Sequence, residues 1–137
     1  MHRILAALLL LLACTPAASA PKKTTVETLV RSGASWNGLP LPAWPSGTPE
    51  VALLRITIPG KSELPWHNHP VINVGLMLQG RLTVITRKGE VLRLKKGDPI
   101  VEVVDTWHMG KNEHEEPVVI VVFYAGAKGM VLTAGKH

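Results

Sequence analysis

The sequence predicts an all-β fold, one small barrel of the jelly-roll type with an extended N-terminal wrap. Three observations predict it. From Val51 onward, short runs rich in Val, Ile, Leu and Thr are separated by turns containing Gly or Pro, the pattern of strands in a sandwich or barrel. No segment in that region keeps a helical period over ten residues. The stretch before it, Pro21 to Pro49, is rich in Pro, Gly, Ser and Trp. Within it, Leu39-Pro40-Leu41-Pro42-Ala43-Trp44-Pro45 cannot be regular helix. Each proline removes a backbone donor and biases the residue before it toward extended geometry.

Taken in order, residues 1–20 read as a cleaved signal peptide. Met1-His2-Arg3 is a weakly basic start, and Ile4 to Ala13 is an apolar run too short to span a bilayer. Ala18-Ser19-Ala20 matches a cleavage site. A periplasmic or secreted protein is the expectation. The single cysteine, Cys14, ends Leu11-Leu12-Ala13-Cys14, which resembles a lipobox. Lipidation at Cys14 would instead anchor the protein, and is the one route to a membrane expected here. The mature chain keeps no cysteine pair, so neither a disulfide nor a cysteine-based zinc site is expected.

Residues 21–50 are read as a short strand, Val26 to Val30, and extended loops. The barrel is assigned to residues 51–126. Its strands are predicted at Val51–Ile58, closed by Pro59-Gly60, and at Ile72–Leu78, closed by Gln79-Gly80. Leu82–Thr86 and Val91–Leu94 flank a hairpin signal at Lys88-Gly89. After a turn at Lys96-Gly97-Asp98 come Ile100–Val104, Trp107–Gly110 and Val118–Tyr124. Residues 127–137 are left as a C-terminal tail. The 137 residues make one domain, and the chain remaining after cleavage is long enough for a core without staples.

Without Arg3, 14 Lys+Arg stand against 10 Asp+Glu. The basic residues are scattered as short doublets (Lys22-Lys23, Arg87-Lys88, Lys95-Lys96). Nucleic-acid binders show a clustered basic stripe, often with interleaved aromatics. Neither occurs here, so nucleic acid is not an expected partner.

The chemistry concentrates in histidines. His67 and His69 lie in Pro-Trp-His-Asn-His-Pro, Pro65 to Pro70, and His108 lies in Asp-Thr-Trp-His-Met-Gly-Lys-Asn, Asp105 to Asn112. On a strand, residues i and i+2 share a face. His-x-His therefore aims two imidazoles at one point, and a third from a facing strand completes a site. Neutral imidazole suits Zn, Cu, Fe and Ni.

With these residues in this order, the chain resembles the cupin superfamily. The first cupin motif carries Gly, His-x-His, Glu and Gly. Here Gly60, His67, His69 and Gly80 correspond, and Asn73 stands where the Glu is expected. The second motif carries Gly, Pro, Gly, His and Asn. Here Gly97, His108 and Asn112 correspond, with Val103 for the proline and Asp105 for the second glycine. The resemblance covers about Val51 to Tyr124, and beyond the superfamily the chain looks like small exported single-cupin proteins with no assigned reaction. It implies a divalent metal (Fe, Mn, Ni, Zn or Cu) held by His67, His69 and His108, a small-molecule ligand or substrate, and a homodimer. Asn73 is carried over as a fourth ligand through its carbonyl oxygen, although an amide brings no charge. Its alternatives are a partner that orients an imidazole and a polar lining residue.

Other polar and aromatic residues have plainer readings. Trp66 and Trp107 each precede a site histidine, so alternation turns them to the opposite strand face, for packing. Met77 and Met109 read as core filling. Glu113-His114-Glu115-Glu116 reads as a solvated turn. Glu102 lies an even number of residues from His108, but a turn near Asp105 interrupts that count. Three functions are open: a metal-dependent enzyme of dioxygenase or isomerase type acting on a small organic molecule, a non-catalytic module that captures a small anion, and a metal-free structural or dimerising barrel.

Overall fold

The computed structural model describes residues 23–135. The predicted signal peptide, its cleavage site and Cys14 lie outside the described residues. Ten strands follow one another: β1 (Pro49–Ile58), β2 (Ser62–Glu63), β3 (His67–Asn68), β4 (Ile72–Gln79), β5 (Arg81–Thr86), β6 (Val91–Lys95), β7 (Pro99–Val101), β8 (His108–Asn112), β9 (Val118–Ala127) and β10 (Ala134–Gly135). Among the described residues there is no helix.

Two antiparallel sheets form. One runs β1-β9-β4-β7; the other runs β10-β3-β8-β5-β6, with β2 also paired to β8. Alternation puts apolar side chains between them. Leu82 and Val84 point inward from β5, and Val118, Ile120, Val122 and Tyr124 from β9. Ile58, Val71, Met77 and Ile100 complete this core. A fully buried Val or Ile contributes roughly 1.5–3 kcal/mol, so the inner faces hold the sheets together.

The predicted strands β1, β4, β5, β6, β8 and β9 form within a few residues of their expected ends. Two expectations fail. Val26–Val30 is not a strand: it pairs with no other strand, and Val26 is 92% exposed. Residues that favour strands need cross-strand neighbours to form one. Further along, the wrap is anchored. Trp36 N–H donates to Val101 O at 2.9 Å, and Ser35 Oγ donates to Glu102 O at 2.8 Å. The predicted strand Ile100–Val104 stops at Val101. Val104 instead makes an isolated parallel bridge to His69, and Asp105 turns the chain with φ 48°. The resemblance places glycine at residue 105, a residue type suited to such left-handed geometry. Asp tolerates it better than most residues.

The C-terminal tail also differs from a simple tail. β10 pairs with β3, Ala134 opposite Asn68 and Gly135 opposite His67. Asn112, from the second motif, is a structural staple. Its Nδ2 donates to the carbonyls of Pro59 (3.0 Å) and Glu116 (2.9 Å), and its Oδ1 accepts from His114 N–H (3.1 Å).

Candidate metal centre

Short pieces of chain deliver the three histidines. His67 on β3 stands directly opposite His108, the first residue of β8. His69 is held by Val104 and by Asp105, whose N–H donates to His69 O at 2.9 Å. Alternation along β8 buries His108, Gly110 and Asn112. Ring centroids are 4.4 Å apart for His67–His108 and 5.1 Å for each pair with His69. The ligand nitrogens lie within 4.8 Å of one another, the one such cluster among the described residues. The third histidine does not come from a facing strand, as the sequence reading supposed. It comes from the neighbour of β3 in the same sheet.

Each ring is oriented by a backbone carbonyl. Nδ1 of His67 meets Pro65 O at 2.7 Å, that of His69 meets Leu132 O at 2.9 Å, and that of His108 meets Thr106 O at 2.8 Å. A carbonyl only accepts, so each Nδ1 carries the proton. Each neutral ring then offers the lone pair of Nε2 to a metal.

The opposite sheet supplies a polar row. Tyr124 on β9 pairs with Asn73 on β4. Glu102, just past β7, donates its N–H to Asn73 O at 3.1 Å. Residues directly opposed on neighbouring strands project to the same face. All three line a cavity of about 260 Å³ together with the three histidines. The rest of the wall is largely apolar, with Ile56, Leu64, Val84 and Val122 among its residues. At about 30 Å³ per water, the space suits a small organic molecule.

Asn73 is buried, and its Nδ2 donates to Val71 O at 3.3 Å. Its Oδ1 has no hydrogen-bond partner, and neither has His108 Nε2. Glu102 Oε2 lies 3.7 Å from His108 Nε2, with the carboxylate side chain 12% exposed. Buried polar atoms left unpaired are costly, and these two belong to residues of one cavity. Imidazole nitrogens, an amide oxygen and a carboxylate form a donor set suited to a divalent transition metal. The residues present fit such an ion.

Burial dominates the electrostatics. Desolvation pushes His69 down to about 4, against the opposing Leu132 carbonyl and with help from His108 and His67. Desolvation also lowers His108. Both rings are thus held in the neutral form that metals bind. Glu102 is pushed up to about 7 by desolvation; the Val103 N–H, His67 and the Trp36 side chain oppose this without cancelling it. Tyr124 is raised by desolvation as well.

The remaining sequence candidates fall outside the cavity. The Arg87 guanidinium lies over both Trp66 and Trp107, 5.6 and 4.6 Å from their ring centroids. Met77 is in the core. Glu113, Glu115 and Glu116 are exposed in the β8–β9 connection. Sequence reasoning missed Tyr124, the Leu132 carbonyl and Thr133, whose Oγ1 lies 3.2 Å from His69 Nδ1 and which lines the cavity. Tyr124 was readable in principle, since it continues the inward parity of Val118, Ile120 and Val122. Nothing local signals residues 132 and 133, whose role comes from the tail folding back.

Comparison with known proteins agrees with this geometry. Residues 54–124 match the Cupin_2 family model, described as a cupin domain. No curated protein matches. Among solved structures, the chain is similar to the DMSP lyase DddQ from Ruegeria pomeroyi DSS-3. That likeness has a TM-score of 0.54 and 19% identity over 61% of this chain and 42% of that one. It is similar to the oxalate decarboxylase of Lactobacillus farciminis, with a TM-score of 0.52 and 17% identity over 65% of this chain and 27% of that one. It is also similar to the Cnp3 cupin domain of Schizosaccharomyces pombe, with a TM-score of 0.51 and 22% identity over 56% of this chain and 52% of that one. This chain spans less than half the length of the lyase and the decarboxylase, and at these identities the likeness is one of fold. The family match covers more than half of the 137 residues, and the chain belongs to the cupin family.

Proposed function

We propose that this cupin binds a divalent transition-metal ion through His67, His69 and His108 and acts as a metal-dependent enzyme on a small organic molecule held in the barrel. The observation that carries the reading is the convergence of three imidazoles, each with Nδ1 hydrogen-bonded to a backbone carbonyl. Such partners fix both tautomer and ring orientation. A bound ion would supply Lewis-acid or redox chemistry at its open positions.

The chain's own residues do the rest. Apolar walls exclude water from around the substrate and strengthen polar interactions inside. Tyr124 lines the same cavity, so a proton-carrying hydroxyl faces the bound molecule. Dioxygenase or isomerase chemistry is the class proposed. The lyase and decarboxylase likenesses show that this fold accommodates enzymes, and fold alone does not select a reaction. An anion-capturing module is the weaker reading, because the cavity holds a carboxyl group at 3.7 Å from His108. A carboxylate there lowers the positive charge of the metal-bound site and so weakens its attraction for an anionic ligand.

Elemental analysis of the purified protein beside His67→Ala and His108→Ala variants tests the proposal. About one transition metal per chain, absent from both variants, is the expected result. Protein that carries no metal from any supplemented medium would overturn it.

A further inference from the structure

We propose that Glu102 is the carboxylate ligand of this metal site, one strand over from the position where the sequence motif places it. The inference rests on the three-histidine reading above and deepens it. The motif position on β4 holds Asn73, an amide without charge. Its neighbour in register across the sheet is Glu102, joined to it by the hydrogen bond from Glu102 N–H to Asn73 O at 3.1 Å. Side chains at opposed positions on neighbouring strands leave the sheet on the same face. A carboxylate moved from Asn73 to Glu102 therefore still enters the same cavity and faces the same three rings.

Charge supports the assignment. Three neutral imidazoles around a divalent ion leave two positive charges in a largely apolar cavity. Burying charge without a partner is expensive. Among the described residues, Glu102 is the one acidic residue lining that cavity, and no Lys or Arg lines it. An ion and this carboxylate offset each other's desolvation cost.

Distance supports it too. Two atoms bound to one ion at about 2.1 Å lie no more than ~4.2 Å apart. Glu102 Oε2 and His108 Nε2 are 3.7 Å apart. That is too long for a good hydrogen bond, so the carboxylate is not there simply to pair with the imidazole. The hydrogen bond it accepts from Val103 N–H is long, 3.3 Å, and a carboxylate has further lone pairs to offer an ion.

The backbone at residue 102 is pinned on both sides. Ser35 Oγ donates to Glu102 O at 2.8 Å from the wrap, and Asn73 O accepts its N–H. Such anchoring of a ligand-bearing segment is what a preorganised site requires.

The test is metal affinity, measured by chelator competition with Zn(II) and by the visible spectrum of the Co(II)-substituted protein. Wild type is compared with Glu102→Gln, Asn73→Ala, the double variant Asn73→Glu/Glu102→Gln, and His108→Ala. Circular dichroism of each metal-free variant checks folding. Glu102→Gln is expected to weaken Zn(II) binding at least 10-fold and to alter the Co(II) bands. Asn73→Ala is expected to cost less affinity than Glu102→Gln, because an amide oxygen brings no charge to the ion. The double variant, which returns the carboxylate to β4, is expected to regain most of the loss. Unchanged affinity and spectrum in Glu102→Gln, with binding abolished in His108→Ala, would overturn the assignment and leave the three-histidine site standing. Failure of wild type to bind Zn(II) or Co(II) would overturn both.

Discussion

Replacing Glu102 by Gln keeps the shape of the side chain and removes its ability to ionise. In the metal-free protein this should stabilise the fold, by an amount that depends on pH. Burial raises the carboxyl from an ordinary 4.5 to about 7. At about 1.4 kcal/mol per pKa unit, ionising Glu102 in the folded barrel costs about 3 kcal/mol more than ionising it in the unfolded chain. Because the folded value is the higher one, this contribution to stability is complete below pH 4.5. It declines as pH rises and is lost above pH 7. Gln carries no such term. Urea denaturation in the presence of a chelator, at pH 4.5 and pH 8, measures it. The variant should exceed wild type by about 3 kcal/mol more at pH 8 than at pH 4.5. His69 responds in the opposite sense, losing stability as pH falls from 6.5 toward its folded value of about 4. It is present in both proteins and cancels in the difference. Saturating metal should then narrow the gap at pH 8 by about 1.4 kcal/mol for each tenfold by which wild type binds the ion more tightly. A gap between the proteins that does not change with pH would refute the burial argument.

Four further outcomes are expected. Ending the chain at Val131 removes the Leu132 carbonyl from His69 and β10 from β3, and metal affinity measured by chelator competition should fall roughly 10–100-fold. Gly60→Ala places a Cβ against the Glu115 carbonyl, and denaturant unfolding should show a loss of about 2–3 kcal/mol from overpacking. Removal of residues 1–20 on export is proposed from the sequence: intact-mass analysis of the protein expressed as the full chain in a bacterium should give an N-terminus at Pro21 or Ala20, and a lipid-modified Cys14 would refute that. β1 is the edge strand of its sheet, with Val51 and Leu53 64% and 68% exposed and Phe123 opposite Leu53 43% exposed. The expected homodimer would cover this face, so light scattering should give twice the chain mass for wild type and a monomer for Leu53→Glu.

Much of the barrel is readable from local chemistry. Val118, Ile120, Val122 and Tyr124 alternate inward because strand side chains have a period of two. The turn at Lys96-Gly97-Asp98 forms where Gly97 adopts φ 91°, which glycine does without strain. The pairing of His67 with His69 follows from the same alternation. Where the reading failed, the missing information was non-local. Val26–Val30 has strand-forming residues and nothing to pair with. The count from His108 back to Glu102 breaks at Asp105, as expected. Glu102 nevertheless faces the histidines, because it enters from the other sheet and needs no shared strand.

By itself the sequence determined the all-β class, most strand positions and the three histidines, because each depends on side-chain period and residue type within a few positions. The tertiary structure alone decided which strands pair, and so set His108 against His67. It also laid Glu102 beside Asn73 and brought Leu132 back to His69, 63 residues away along the chain. Those contacts are set by how two sheets close over one core, and no local pattern encodes the register at which they meet.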